Sequence, residues 1–141
     1  MNRDIVLREW VRATTTLRAA QLLLREGYHD DAVSRAYYVI LHAAKAAPLV
    51  NDIAAESHNS VRRLFGRHLI LSNAIEPEWS KYLGGSLDDR LAADYDIGTS
   101  FTSDEAERQC RSAMEFVGRI RRYLVDNGFA DADLGSEGGD G

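Results

Sequence analysis

The chain has 141 residues and a single cysteine, Cys110, which excludes an internal disulfide and a cysteine-rich zinc site. Of its 22 acidic residues, five lie from Asp126 to Gly141 with no Lys or Arg among them, and the rest balance the 17 basic ones. The pI near 5.3 therefore reflects one end of the chain and decides nothing about a nucleic-acid surface.

This length fits one domain with a hydrophobic core of its own. No run approaches the roughly 18 apolar residues that span a bilayer. The N-terminus, MNRDIVLREW, lacks the apolar stretch of a signal peptide. A cytoplasmic protein without membrane contact is expected.

Taken in order, the first segment, from Asp4 to Glu26, predicts a long amphipathic helix. Trp10, Ala13, Leu17, Ala20 and Leu24 recur at three and four residues, a seam for a partner helix. Gly27 stands where a helix end accepts positive φ. Asp30 or Asp31 is the expected cap of a second helix, with Pro48 marking its end after about Ala47. Ser57 is the expected cap of a shorter third helix that turns Val61, Leu64, Phe65 and Leu69 inward. Its outer side carries His58, Arg62, Arg63 and Arg67.

Pro77 suits the first position of a fourth helix through Trp79, Leu83, Leu87 and Leu91, with Gly84-Gly85 weakening it by about 1 kcal/mol per glycine. Thr102 and Glu105 form a capping box that opens a fifth helix to about Val125. Its seam is Ala106, Cys110, Ala113, Val117, Ile120 and Leu124. No strand pattern and no internal repeat occur. The reading is all-α: an antiparallel up-down bundle of about five helices over residues 1–126, then a Gly/Asp-rich, disordered acidic tail over 127–141.

The second helix carries the chemistry. Val33, Ala36, Tyr37, Ile40, Leu41 and Ala44 make an apolar stripe. Arg35, Tyr38, His42 and Lys45 form a separate line on another face. Seven residues are nearly two turns, so Arg35 and His42 project to one side with Cα atoms about 10.5 Å apart along the axis. A guanidinium can hold phosphoryl oxygens while an imidazole takes or gives the proton of a ribose hydroxyl, which is the chemistry of metal-independent RNA cleavage. The plain alternative is that Arg35 pairs with a carboxylate and His42 is a hydrogen-bonded helix residue. An enzyme requires Arg35 and His42 of both protomers to face one open cleft, whereas a scaffold tolerates one of them buried in a salt bridge. No two histidines share a helix at metal-ligand spacing, and neither a metal nor another cofactor is expected.

Ser34-Arg35-Ala36-Tyr37-Tyr38 followed by Leu41-His42-Ala43-Ala44 resembles the signature helix of the HEPN superfamily. It is similar above all to stand-alone, toxin-like members with an Arg, four to six residues, then a His. Ser57-His58-Asn59-Ser60-Val61, the run Arg90 to Asp96 and the segment Phe101 to Glu107 resemble further pieces in the same order. The resemblance implies a helical homodimer that cleaves RNA as a toxin or defence component, with Arg35 and His42 catalytic. It also implies a nucleotidyltransferase-like antitoxin as partner. Tyr38, Lys45, His58, Arg62 and Arg63 are the expected RNA contacts. The alternative function is an inactive HEPN module that binds a nucleotide, a nucleic acid or such a partner. Two positions differ from the pattern. Ala36 follows the Arg where active members often carry a polar residue. Ala44 occupies the place of the tyrosine that accepts AMP in silenced toxins, so that acceptor is missing here.

Overall fold

A computed structural model of the chain describes residues 1–84 and 100–135. Helix α1 spans Arg3–Arg25, opened by the Asn2 side chain, which accepts from the backbone N–H groups of Asp4 and Ile5. It closes at Gly27, whose φ of +88° lets Tyr28 N–H reach back to the Leu23 carbonyl at 2.9 Å. Val6, Trp10, Ala13, Leu17 and Ala20 are its buried stripe, which extends the expected seam by Val6 and leaves Leu24 half-buried.

Helix α2, His29–Leu49, returns antiparallel and is the centre of the bundle. More than half of its residues are buried, because α1, α5 and α3 all pack on it. Alanines at 36, 43, 44 and 47, fully buried or nearly so, let the neighbouring backbones approach closely. Two boundaries differ from expectation. The residue preceding α2 is Tyr28, which makes no side-chain cap; Asp30 instead accepts from Phe101 N–H at 2.8 Å and ties α2 to the segment that opens α5. Pro48 lies inside the helix rather than ending it. At the next-to-last position it removes only one late hydrogen bond, and Asn51 and Ile53 N–H groups cap its carbonyl.

Helix α3, His58–Phe65, starts at a Ser57–Ser60 capping box and runs into a π-helical turn, Gly66–Ile70. Val61, Phe65 and Leu69 are buried and Leu64 is half-buried, while Arg62, Arg63 and Arg67 stay exposed. A short 3₁₀ turn, Pro77–Trp79, with Pro77 first, leads into helix α4, described over residues 80–84. The expected continuation through Leu87, Leu91 and the Arg90–Asp96 run lies outside the described residues. Helix α5, Ser103–Asp126, opens with the Thr102–Glu105 capping box and buries its expected seam. Phe65 and Phe116 rings meet at 5.7 Å, and Trp79 and Tyr82 stack at 4.9 Å beside Phe116.

The expectation of a flexible tail from residue 127 fails for its first part. Phe129 and Leu134 are buried, and a single turn, α6, Asp131–Leu134, folds back on the bundle. Two buried donors hold it: Trp10 Nε1 donates to the Leu134 carbonyl at 2.8 Å, and Arg121 Nη2 donates to the Gly135 carbonyl at 2.9 Å and to Asp131. Phe129 and Leu134 supply the apolar area that a composition rich in Gly and Asp conceals. The described residues contain helices and no strand, an all-α bundle. Among them, no helix is long and apolar enough to cross a membrane.

Candidate functional site

Because α2 is wrapped on most sides, only one line of it reaches solvent. Arg35 is exposed, and Tyr38, His42 and Lys45 are half-buried along the same face. A cavity of about 240 Å³ opens beside this line, between α2 and the start of α3. Tyr38, His42 and Lys45 bound it from α2; Glu56, Ser57 and His58 bound it from the connector and α3. His42 and Tyr38 rings lie 6.4 Å apart at 29°, and the His58 ring lies 6.4 Å from Tyr38 and 5.8 Å from Tyr37.

The residue that organises this site comes from α1. Glu9 Oε2 meets His42 Nδ1 at 2.5 Å, and its Oε1 lies 3.6 Å from Lys45 Nζ. Burial pushes the Glu9 carboxyl up, but the His42 hydrogen bond and then the charge of Lys45 outweigh it, with help from Arg12. The net result is a carboxyl held below its ordinary range. An ionised carboxylate only accepts hydrogen bonds, so the proton of this contact sits on His42 Nδ1. Nε2 is then the nitrogen left to exchange a proton, as in other carboxylate–imidazole pairs.

The expected residues are distributed unevenly. Tyr38, His42, Lys45 and His58 share the cavity. Arg62 lines a smaller adjoining cavity, of about 60 Å³, with Tyr37 and His58, and its guanidinium lies over Gly84. Arg63 is exposed and bounds neither cavity. Arg35 stands one turn before Tyr38 and bounds neither cavity, and its side chain makes no hydrogen bond or ion pair with another described residue. Within one protomer, His42 is hydrogen-bonded to Glu9 through one nitrogen and lines an open cavity, whereas Arg35 lines neither that cavity nor the adjoining one.

Glu9 was not among the candidate residues. Its only local signal is position: it lies about 60° around α1 from the centre of the apolar stripe, an acid at the edge of a buried seam. Cys110 is 4% exposed, and burial pushes its thiol up to about 11, so it offers no ready thiolate. No group of three His, Cys, Asp or Glu that could hold a metal ion occurs among the described residues.

Fold and site together define a helical bundle with a histidine cleft cut along its central helix. A family model described as the HEPN domain matches residues 7–126. The chain belongs to the HEPN family. Two similar proteins come from Methanocaldococcus jannaschii. "Putative toxin MJ0605" is 34% identical over 131 residues, covering 89% of this chain and 96% of that one. "Putative toxin MJ0142" is 29% identical over 114 residues, covering 81% and 78%. A UPF0332 protein of Gloeobacter violaceus is 31% identical over 114 residues, covering 75% of this chain and 90% of its own.

Proposed function

We propose that this chain is a toxin-type endoribonuclease that needs no metal ion. The observation that carries the reading is the Glu9–His42 pair, which leaves one imidazole nitrogen for a cavity bounded by Tyr38 and Lys45. In the reaction the ribose 2′-hydroxyl is itself the nucleophile, so the protein supplies proton transfer and a phosphate-binding cation rather than a nucleophile of its own. His42 Nε2 takes the hydroxyl proton, and Glu9 stabilises the charge the ring gains. Arg35 neutralises the phosphoryl oxygens, Tyr38 offers a ring for base stacking, and Arg62 and Arg63 track the backbone.

Arg35 and His42 lie about 10.5 Å apart along α2. A two-fold dimer with this face at its interface would bring the Arg35 of one protomer beside the His42 of its partner. Two relatives carry the word toxin in their names. For this chain, that supports a toxin role and a neutralising partner; RNA as substrate, a cytoplasmic site of action and a partner of nucleotidyltransferase type complete the proposal.

The second reading is a binding module without catalysis. The observation in its favour is that Lys45 and His42 both spend contacts on Glu9, which lowers the charge they can offer an anion. Cleavage of a mixed RNA pool in EDTA separates the two. Wild-type protein giving 2′,3′-cyclic phosphate ends, with loss of cleavage in His42→Ala, supports the enzyme. A folded wild-type protein that binds RNA without cutting it supports the module.

A further inference from the structure

His42 is not the only imidazole at this cavity. His58 is the first residue of α3, set there by the Ser57–Ser60 capping box, in which Ser57 Oγ accepts from Ser60 N–H at 3.2 Å and Ser60 Oγ from Ser57 N–H at 2.9 Å. The two rings come from different helices, and each lies 6.4 Å from the Tyr38 ring, one nearly parallel to it and one at 76°. Both bound the same cavity of about 240 Å³. They are held differently. His42 is fixed through Nδ1 by Glu9, whereas His58 is exposed, and its contacts among the described residues are with the Tyr37 and Tyr38 rings. Either of its nitrogens is therefore free to meet a group bound in the cavity.

Cleavage of RNA by its own 2′-hydroxyl moves two protons: one leaves the attacking oxygen and one arrives on the departing oxygen. One imidazole can do only one of these in a given step. We propose that His58 is the second acid/base group of the reaction, so that each protomer carries both proton-transfer partners; this rests on the ribonuclease reading above. The 2′-oxygen–phosphorus bond forms as His42 Nε2 takes the hydroxyl proton. The phosphorus–5′-oxygen bond breaks as the His58 imidazolium gives its proton to that oxygen. The products are a 2′,3′-cyclic phosphate and a 5′-hydroxyl, and the two rings, having exchanged protonation states, reset through solvent. Glu9 assigns the direction, because its carboxylate stabilises the positive charge that the accepting ring acquires.

The test uses a short RNA that the wild-type protein cleaves and the same RNA with sulfur replacing the 5′-oxygen at that bond. A thiolate departs without being protonated, so it bypasses the need for an acid. The expectation is that His58→Gln slows cleavage of the oxygen substrate about 100-fold or more with little change in KM. On the sulfur substrate the same variant should run close to the wild-type rate. His42→Gln should be slow on both. Residue 58 is exposed, and matching thermal melts of His58→Gln and His58→Asn check that the fold is kept. A wild-type rate on the oxygen substrate in both variants, or equal slowing on both substrates, overturns the role of His58 and leaves the ribonuclease reading standing. No cleavage of any RNA by the wild-type protein overturns both.

Discussion

Glu9 and His42, 33 residues apart in sequence and on different helices, meet at 2.5 Å. The contact fixes the imidazole tautomer and joins α1 to the polar face of α2. Its energetic sign follows from Glu9, whose carboxyl is held below its ordinary value of 4.5 in the folded protein. The unfolded chain therefore takes the proton first as pH falls. The contribution is fully present above pH 4.5 and is lost as pH drops through the folded value. Glu9→Gln is expected to lower the urea midpoint at pH 7, with the gap to wild type closing below pH 4.5. A gap unchanged down to acid pH would place the effect in packing alone.

The C-terminal turn is expected to be part of the folded unit. A chain ending after Gly135 keeps every described contact of this turn and serves as the reference. Ending it after Gly128 removes buried Phe129 and Leu134 and leaves the Trp10 and Arg121 donors without partners. That truncation should cost roughly 3 kcal/mol or more. Trp10→Phe tests one bond of the set and should cost about 1 kcal/mol beyond any packing change. Equal urea midpoints for the two truncations would contradict this account.

Ser57→Ala removes one half of the capping box and should destabilise the protein by about 1 kcal/mol. Since His58 depends on the same turn for its position, the variant should also lose rate on the oxygen-containing RNA. Ser57→Asp, which restores a side-chain acceptor, should recover the stability. Thermal melts and cleavage rates on the three proteins read both effects.

Away from the site, Arg119 is 6% exposed and donates to Glu76 at 2.8 and 3.1 Å and to the Ala74 carbonyl at 3.1 Å. The Arg119 hydrogen bond is the main reason that the Glu76 carboxyl titrates at about 2. Stability from this pair is present above pH 4.5 and drains toward pH 2, and Glu76→Gln should flatten that part of the pH profile. Arg119→Met, which keeps the stem and removes the charge, should be milder than Glu76→Ala, which leaves a buried guanidinium without its carboxylate. Chemical denaturation of the three chains between pH 2 and 5 checks the order.

The helices were legible because each signal is local. A three-and-four spacing, a capping box at Thr102, a glycine at 27 and a serine at 57 act within one or two turns. The same holds for the polar line Arg35–Tyr38–His42–Lys45, whose members are neighbours on one helix. Pro48 and Asp30 misled because their outcome depends on partners elsewhere: backbone donors after residue 50, and the N–H of Phe101. The fold-back of residues 129–134 was hidden for a related reason, since two apolar residues in an acidic, glycine-rich stretch look unremarkable until Trp10 and Arg121 supply buried donors.

The sequence by itself determined an all-α bundle with an Arg and a His on one helical face. Only the tertiary structure decided which carboxylate that His would meet, and that His58 would share its cavity. Those choices depend on how α1 and α3 pack against α2, and a side-chain contact between helices leaves no periodic trace in either segment.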